Sequence, residues 1–181
     1  MPSPASSANT PSERLASVDD LLLYRLGQFS AVAGAMVVRL CEGGHGITRR
    51  EWGVLAQLHG HPAGVLPSAL AERMQRDRAR TSRALSSLQA KGLVQRVALP
   101  NDRRSARVSL TPAGQALYAV LMPQVQAINA RILSVLAPAQ KQAFDEALAS
   151  LRAQAQQLLD QMGPELPKAN RRRGGSRRPL P

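Results

Sequence analysis

The chain has 181 residues, of which 44% are hydrophobic but only 3% aromatic, and it holds a single Cys. Twenty-four Lys and Arg stand against 12 Asp and Glu, a net charge of +12. One Cys cannot build a disulfide scaffold, no uncharged apolar run approaches the ~18 residues of a membrane span, and a core poor in aromatics must come from Leu, Val, Ala and Ile, which suits helices.

Residues 1–16 read as a disordered arm by composition. Met1–Pro11 is rich in Ser, Pro and Ala and lacks the basic start and apolar stretch of a secretory leader, so a cytoplasmic, nucleoid-associated protein is expected. Ser17-Val18-Asp19-Asp20 has the spacing of a capping box and predicts a long helix over 17–42. Gly43-Gly44-His45-Gly46 ends it; without the Lys-Ser/Thr of a phosphate loop, this cluster reads as a turn. Thr48-Arg49-Arg50-Glu51 is a second capping box, opening a helix with Trp52, Leu55 and Leu58 on one face and Gly60 and Pro62 beyond its end. Pro67-Ser68 starts a short helix carrying Leu70, Ala71 and Met74, and another helix runs from about Arg78 to Lys91, stopped by Gly92. Leu93–Val97 and Arg107–Leu110 read as two strands around the turn-forming Pro100-Asn101-Asp102, a hairpin with a basic tip.

Thr111-Pro112 is an N-cap followed by Pro at the first helical position. The helix it opens carries Leu117, Leu121, Val125, Ile128, Ile132 and Val135, with Pro123 expected to kink or split it. After Ala137-Pro138 a last helix repeats Phe144, Leu148, Leu151, Ala155, Leu158 and Met162 at heptad-like spacing. Long helices flanking a compact basic unit have little else to pack on, so a helical dimer interface is expected. Residues 163–181 form a basic tail expected to be disordered; Lys168, Arg171, Arg172, Arg173, Arg177 and Arg178 face no acid from Leu166 onward.

The other concentration of charge is residues 73–107, with ten cations and only Asp77 and Asp102 as acids. Such a patch favours a polyanion. Three helices followed by a hairpin make a mainly α, winged helix-turn-helix arrangement with a core over about 47–112 and dimerisation helices over 17–42 and 112–162. On the helix from Arg78, about 100° per residue gathers Ala84, Leu85 and Leu88 on one side and puts Arg76, Arg80, Arg83 and Ser87 opposite Leu85. That face would present guanidinium and hydroxyl groups to a major groove, where Arg grips guanine. Thr81 and Ser82 are short donors suited to phosphate or base edges near the helix start. Arg78 and, on the hairpin, Arg103, Arg104 and Arg107 complete the expected DNA contacts.

Leu70-Ala71-Glu72-Arg73, Arg80–Leu88 and Lys91–Arg96 resemble the core of the MarR family of bacterial transcription regulators. The stretch Asn101–Gly114 is similar to that family's wing signature, D-x-R-x-x-x-x-x-L-T. The resemblance implies a homodimer that binds a pseudo-palindromic double-stranded operator, as a repressor in most members. It implies that Arg104 enters the minor groove and that Asp102 orients that Arg by an ion pair. It also implies release from DNA by a small aromatic carboxylate effector, for which Tyr24, Gln28, Arg39, Trp52, His59 and His61 are the candidate ligand-binding residues.

Other readings remain beside it. An architectural protein could coat DNA through wing and tail without reading sequence. Cys41, His45, His59 and His61 could sense a metal, or Cys41 a peroxide, although their spacing fits no standard zinc finger and no activating set surrounds the thiol. No paired carboxylates, nucleophile–His set or cofactor loop is evident, so neither an enzyme nor a resident cofactor is expected.

Overall fold

The computed structural model of the chain describes residues 17–74, 78–99 and 102–167. The expected arm at 1–16 and most of the basic tail, 168–181, lie outside the described residues. The fold is mainly helical with one small antiparallel hairpin. Its helices are α1 (Leu22–Val38), α2 (Arg49–His59), α3 (Pro67–Arg73), α4 (Arg78–Ala90), α5 (Pro112–Leu133) and α6 (Pro138–Met162), with β1 (Val94–Leu99) and β2 (Asp102–Leu110) between α4 and α5.

The first capping box forms but caps less than expected. The Ser17 hydroxyl accepts from the Asp19 N–H at 3.1 Å and the Ser17 N–H donates to the Asp20 carboxylate at 3.0 Å, around a 3-10 turn over Val18–Asp20. Leu21 is extended (φ −68°, ψ 127°), so the α-helix starts only at Leu22. At its far end α1 widens into a π-helical turn, Arg39–Gly44, whose Cys41 is fully buried.

The second box forms as expected. Glu51 N–H donates to Thr48 Oγ1 at 3.2 Å, and Thr48 N–H donates to Glu51 Oε2 at 2.6 Å. From that start α2 buries Trp52, Val54, Leu55 and Leu58, joined in one apolar cluster by Leu70 of α3, Leu85 and Leu88 of α4, Val94, Val108 and Leu110 of the hairpin, and Leu121 of α5. With few aromatics, the core is built mostly of aliphatic side chains around Trp52.

The hairpin pairs Val94 with Leu110 and Arg96 with Val108, and its register slips by a bulge between Ala98 and Leu99. β2 begins at Asp102, five residues before the expected strand start at Arg107. A pairing that sequence periodicity did not signal joins it: Val65 and Val108 exchange both backbone hydrogen bonds at 2.9 Å, tying the α2–α3 loop to the wing. Gly64 makes this possible with φ +76°, since a Cβ there would meet Val108 O at 3.1 Å. Thr111 closes the open end of the hairpin. Its hydroxyl donates to Gly92 O at 2.7 Å and accepts from Gly114 N–H at 3.1 Å, while its own N–H donates to Leu93 O at 3.1 Å. The hairpin is thereby fastened to the first turn of α5.

Pro123 neither splits nor ends α5, which runs unbroken to Leu133. The imide lacks the N–H that would reach the Ala119 carbonyl. The flanking residues compensate: Leu121 is fully buried and Met122 and Val125 pack on the core, while Pro123 itself is exposed. The chain divides into two compact units, residues 1–132 and residues 133–181. In the second, α6 opens with Pro138 at its first turn and the Ala137 N–H donating to Gln140 Oε1 at 2.8 Å. Phe144, Leu148, Leu151, Leu158 and Met162 all stand exposed along it.

Leu88 has no solvent exposure and sits where α4 meets the rest of the core. Leu88→Ala is expected to lower unfolding stability by about 2–5 kcal/mol, measured as a fall in the urea midpoint at unchanged slope.

Candidate nucleic-acid interface

The stripe that anchors α4 is Thr81, Leu85 and Leu88, all buried. Spacing of four and three residues puts these on one side of a helix, so Arg80, Ser82 and Arg83 are left in solvent. Thr81 therefore corrects an expectation: at 4% exposure it faces inward and cannot meet DNA. Its position four residues before Leu85 was the available signal. Arg76 lies outside the described residues, as does the turn at Pro100-Asn101. Asp102, Arg103 and Arg104 are placed on β2 by their backbone, their side chains lying outside what is described.

Arg80, Arg83, Ala84 and Ser87 line one wall of an open cleft of about 400 Å³, and Thr48 and Arg50 at the start of α2 line the other. Arg50 was not among the expected contacts. The capping box could have revealed it, since that motif places residue 50 in the first turn of α2. Deep in the same cleft lies Glu51, 2% exposed. Lys91 Nζ lies 3.0 and 2.9 Å from its two carboxylate oxygens and donates as well to Gly46 O at 2.8 Å. Burial pushes the Glu51 carboxyl up, but hydrogen bonds from Ser87, from the Thr48 N–H and from Lys91, with the charge of Lys91, outweigh it and hold the group below the usual carboxylate range. Lys91, counted with the basic patch in the sequence, thus neutralises an internal acid.

Other cations of the patch are partly engaged too. Arg78 pairs with Glu72 at 3.3 Å with both side chains largely exposed, a contact of little energetic consequence. Arg107 Nη1 donates to Gly64 O at 3.1 Å, bracing the wing against the α2–α3 loop.

The ligand candidates separate. Trp52 and His59 are joined by a residue not singled out from the sequence, Tyr118 of α5, in a stack with centroids 5.5 and 3.8 Å apart. His61 Nδ1 lies 2.8 Å from Gln57 O, and its Nε2 faces Arg73 Nη1. Tyr24 and Gln28 are exposed on α1, and Arg39 is exposed on the π-helical turn. A second cleft, of about 480 Å³, is lined by Ser30, Val38, Glu42, Thr48, Arg49 and Arg50. The guanidinium of Arg49 lies against Gly34, where any side chain would collide with it.

Cys41 is fully buried, and its thiol is pushed above its ordinary value by burial and by Glu42, against a smaller opposing effect of Arg49. A raised thiol pKa lowers the thiolate fraction that peroxide attack requires. Among the described residues no three His, Cys, Asp or Glu side chains gather as a metal site, and no single helix is long and apolar enough to cross a membrane.

Comparison with known proteins agrees with this geometry. A MarR family model matches residues 45–105, the span from the turn before α2 into the wing. A solved transcriptional regulator of the MarR family from Silicibacter pomeroyi is 30% identical, with 80% of this chain and 92% of that one aligned and a TM-score of 0.62. The chain belongs to the MarR family. The PcaV transcriptional regulator from Streptomyces coelicolor, solved with its natural ligand, is 25% identical over 78% of this chain and 96% of that one, with a TM-score of 0.64. A protein assigned to transcriptional regulation of the hcr operon in Thauera aromatica is 36% identical over 91 residues, 48% of this chain. The chain spans about half the length of that curated relative, 54%. The family is one of transcriptional regulators rather than enzymes.

The Glu51 arrangement has a pH consequence. A carboxyl whose folded pKa lies below its unfolded value stabilises the fold above that unfolded value, and the stabilisation is lost as pH falls through the depressed folded pKa. The melting-temperature advantage of wild type over Glu51→Gln is therefore expected to be full at pH 7 and to shrink below the ordinary value of 4.5. Thermal melts of both chains from pH 7 to pH 3 check this; an advantage that grows on acidification would contradict it.

Proposed function

We propose that the protein is a homodimeric, sequence-specific binder of double-stranded DNA that represses transcription from a pseudo-palindromic operator. The observation that carries this reading is α4: one side is locked in the core through Leu85 and Leu88, while Arg80 and Arg83 are exposed on the same helix as it leads into the basic hairpin. An α-helix fits the major groove, and guanidinium recognises guanine there. In a two-fold dimer the pair of α4 helices would meet grooves one helical turn, or a multiple, apart. Membership in a regulator family supports the same reading, and a cytoplasmic, nucleoid-associated location goes with it.

Exposed apolar side chains support the dimer. Leu22, Leu23, Phe29 and Val32 on α1, and Phe144, Leu148, Leu151 and Leu158 on α6, are in solvent in the single chain. Apolar exposure along each of these helices marks an interface, and a second copy of the chain is its natural cover. Leu151→Glu is expected to halve the mass seen by sedimentation equilibrium while the helical circular dichroism persists.

Relief of repression by a small aromatic carboxylate is the accompanying proposal. The cleft of about 480 Å³ favours it, since Arg49, Arg50 and Ser30 offer cations and a hydrogen bonder beside the apolar Val38. Release then requires only that the acid bind one spacing of the two recognition helices better than the other. Adding 4-hydroxybenzoate and related acids to the DNA complex and following its dissociation tests this directly, with Arg49→Ala expected to abolish any response.

The decisive experiment on the reading itself is selection of duplexes from a random pool by the purified chain, followed by fluorescence anisotropy. Wild type is expected to enrich a two-fold-symmetric sequence. Arg83→Ala is expected to cost about 1–3 kcal/mol on that sequence and much less on random DNA. Equal weakening on all duplexes would instead mark an architectural binder.

A further inference from the structure

Resting on the reading of α4 as the helix that enters the groove, we propose that the cleft between α2 and α4 is a seat for one backbone phosphate of each operator half-site. Arg50 is its principal cation, and the contact sets where α4 sits in the groove without reading any base.

The two walls of the cleft come from different helices. Arg80 and Arg83 stand on α4, while Thr48 and Arg50 belong to the start of α2. Arg50 is exposed, and its guanidinium makes no hydrogen bond or ion pair with another described residue. The acid that lines the cleft does not oppose an anion. Glu51 is 2% exposed, and Lys91 Nζ stands 3.0 and 2.9 Å from its two carboxylate oxygens. With that charge met from within, the cleft keeps the charge of three guanidinium groups, Arg50, Arg80 and Arg83. Thr48 Oγ1 accepts from the Glu51 N–H at 3.2 Å. A hydroxyl carries a hydrogen besides its lone pairs, so Thr48 still has one to give an oxygen in the cleft. The seat is built from side chains of two helices, not from a helix end alone.

Groove dimensions assign the anion to the DNA backbone. An α-helix with its side chains is about 10–12 Å across, and the major groove is about 12 Å wide. A helix of that girth fills the groove, so the sugar–phosphate strands pass along its flanks. Side chains on α4 itself reach base edges. A guanidinium held across a cleft beside α4, on another helix, meets the strand that borders the groove instead. Guanidinium grips phosphate oxygens through N–H donors in a fixed fork. Sites for small molecules are mostly apolar, whereas Ala84 is the sole apolar residue among those lining this open cleft. A phosphate contact carries no sequence information but fixes the register and orientation of the helix beside it.

The test uses the full chain and the duplex it selects, with fluorescence anisotropy over a series of salt concentrations. Arg50→Ala is expected to weaken selected and random duplexes by the same factor. It is also expected to make log affinity fall less steeply with log salt, by about 0.9 per lost phosphate and about 1.8 per dimer. Arg50→Lys keeps the charge and is expected to recover most of that slope. Circular dichroism checks the fold of both variants. Duplexes with a single neutral methylphosphonate, moved stepwise along each strand, then locate the contact: one position per half-site is expected to weaken wild type and leave Arg50→Ala indifferent. A loss confined to the selected sequence at unchanged slope marks base reading and overturns the proposal. Methylphosphonate profiles that coincide in wild type and Arg50→Ala overturn it too. Free anion is the other source of the same chemistry. If inorganic phosphate at constant ionic strength raises the melting temperature of wild type alone, while Arg50→Ala leaves DNA affinity and slope untouched, the cleft holds a free ion and the DNA assignment fails. Failure of wild type to enrich any duplex would instead remove the reading on which the proposal rests.

Discussion

The burial of one stripe of α4 is the constraint on which the interface depends. Thr81, Leu85 and Leu88 recur at the helical repeat, and their burial against α2 and the hairpin fixes which way the helix is turned. A rotation of one residue, about 100°, would take the arginines from solvent into an aliphatic core, where an unpaired charge is prohibitively costly. Hydrophobic burial thus determines the orientation of a basic surface without any favourable contact of its own to DNA. The Glu51–Lys91 pair refines what the apolar stripe sets coarsely. Aliphatic contacts are non-directional and tolerate small rotations, whereas a carboxylate held by several donors does not.

The wing is secured by different means. A two-stranded hairpin is marginally stable alone, and this one gains support along β2 and at its open end. Val65 adds a backbone pair from the α2–α3 loop, and Thr111 joins Gly92, Leu93 and Gly114 into a knot at the start of α5. Gly114 is required because a Cβ there would run into the Leu93 carbonyl. The Leu-Thr-Pro-x-Gly run after β2 is therefore a fastening between wing and helix: Leu110 is the buried peg, Thr111 the cap, Pro112 the helix starter and Gly114 the clearance. Recognition helix and wing then share a single aliphatic core.

Much of this was legible in the residue order, and the reasons are specific. Helix existence and order followed from apolar spacing and from capping residues, as at Thr48–Glu51, where every donor and acceptor is local. The fold class followed from the hairpin after three helices. The misreadings have physical causes. Ser17 capped a 3-10 turn because Leu21 is extended, a backbone state that no side-chain pattern encodes. Pro123 stayed within a continuous helix because Leu121, Met122 and Val125 hold that segment to the core, a tertiary effect that outweighs the local penalty. Lys91 looked like one more cation for DNA, since its acid partner lies 40 residues away in sequence. Thr81 is buried because it lies on the Leu85–Leu88 side of the helix, a position that decides its environment over the suitability of its hydroxyl for a phosphate.

The candidate effector residues show where local reasoning stops. Trp52, His59 and His61 attract notice singly, but their environments come from residues distant in sequence: Tyr118 stacks on the first two, and Arg73 meets the third. Arg49 and Arg50 drew none, because two arginines after an N-cap read as ordinary helix surface. Their importance emerges only when α1 brings Gly34 beneath Arg49 and α4 brings Arg80 and Arg83 toward the cleft that Arg50 lines. The first turn of α2 therefore lies between two clefts, one facing the basic side of α4 and the other beside Ser30 and Val38 of α1. Thr48 and Arg50 line both. A ligand in the second cleft that drew on Arg50 or strained the Thr48 cap would act on the residues that hold Glu51, and through Glu51 on the setting of α4. A single helical turn is the wall the two clefts share.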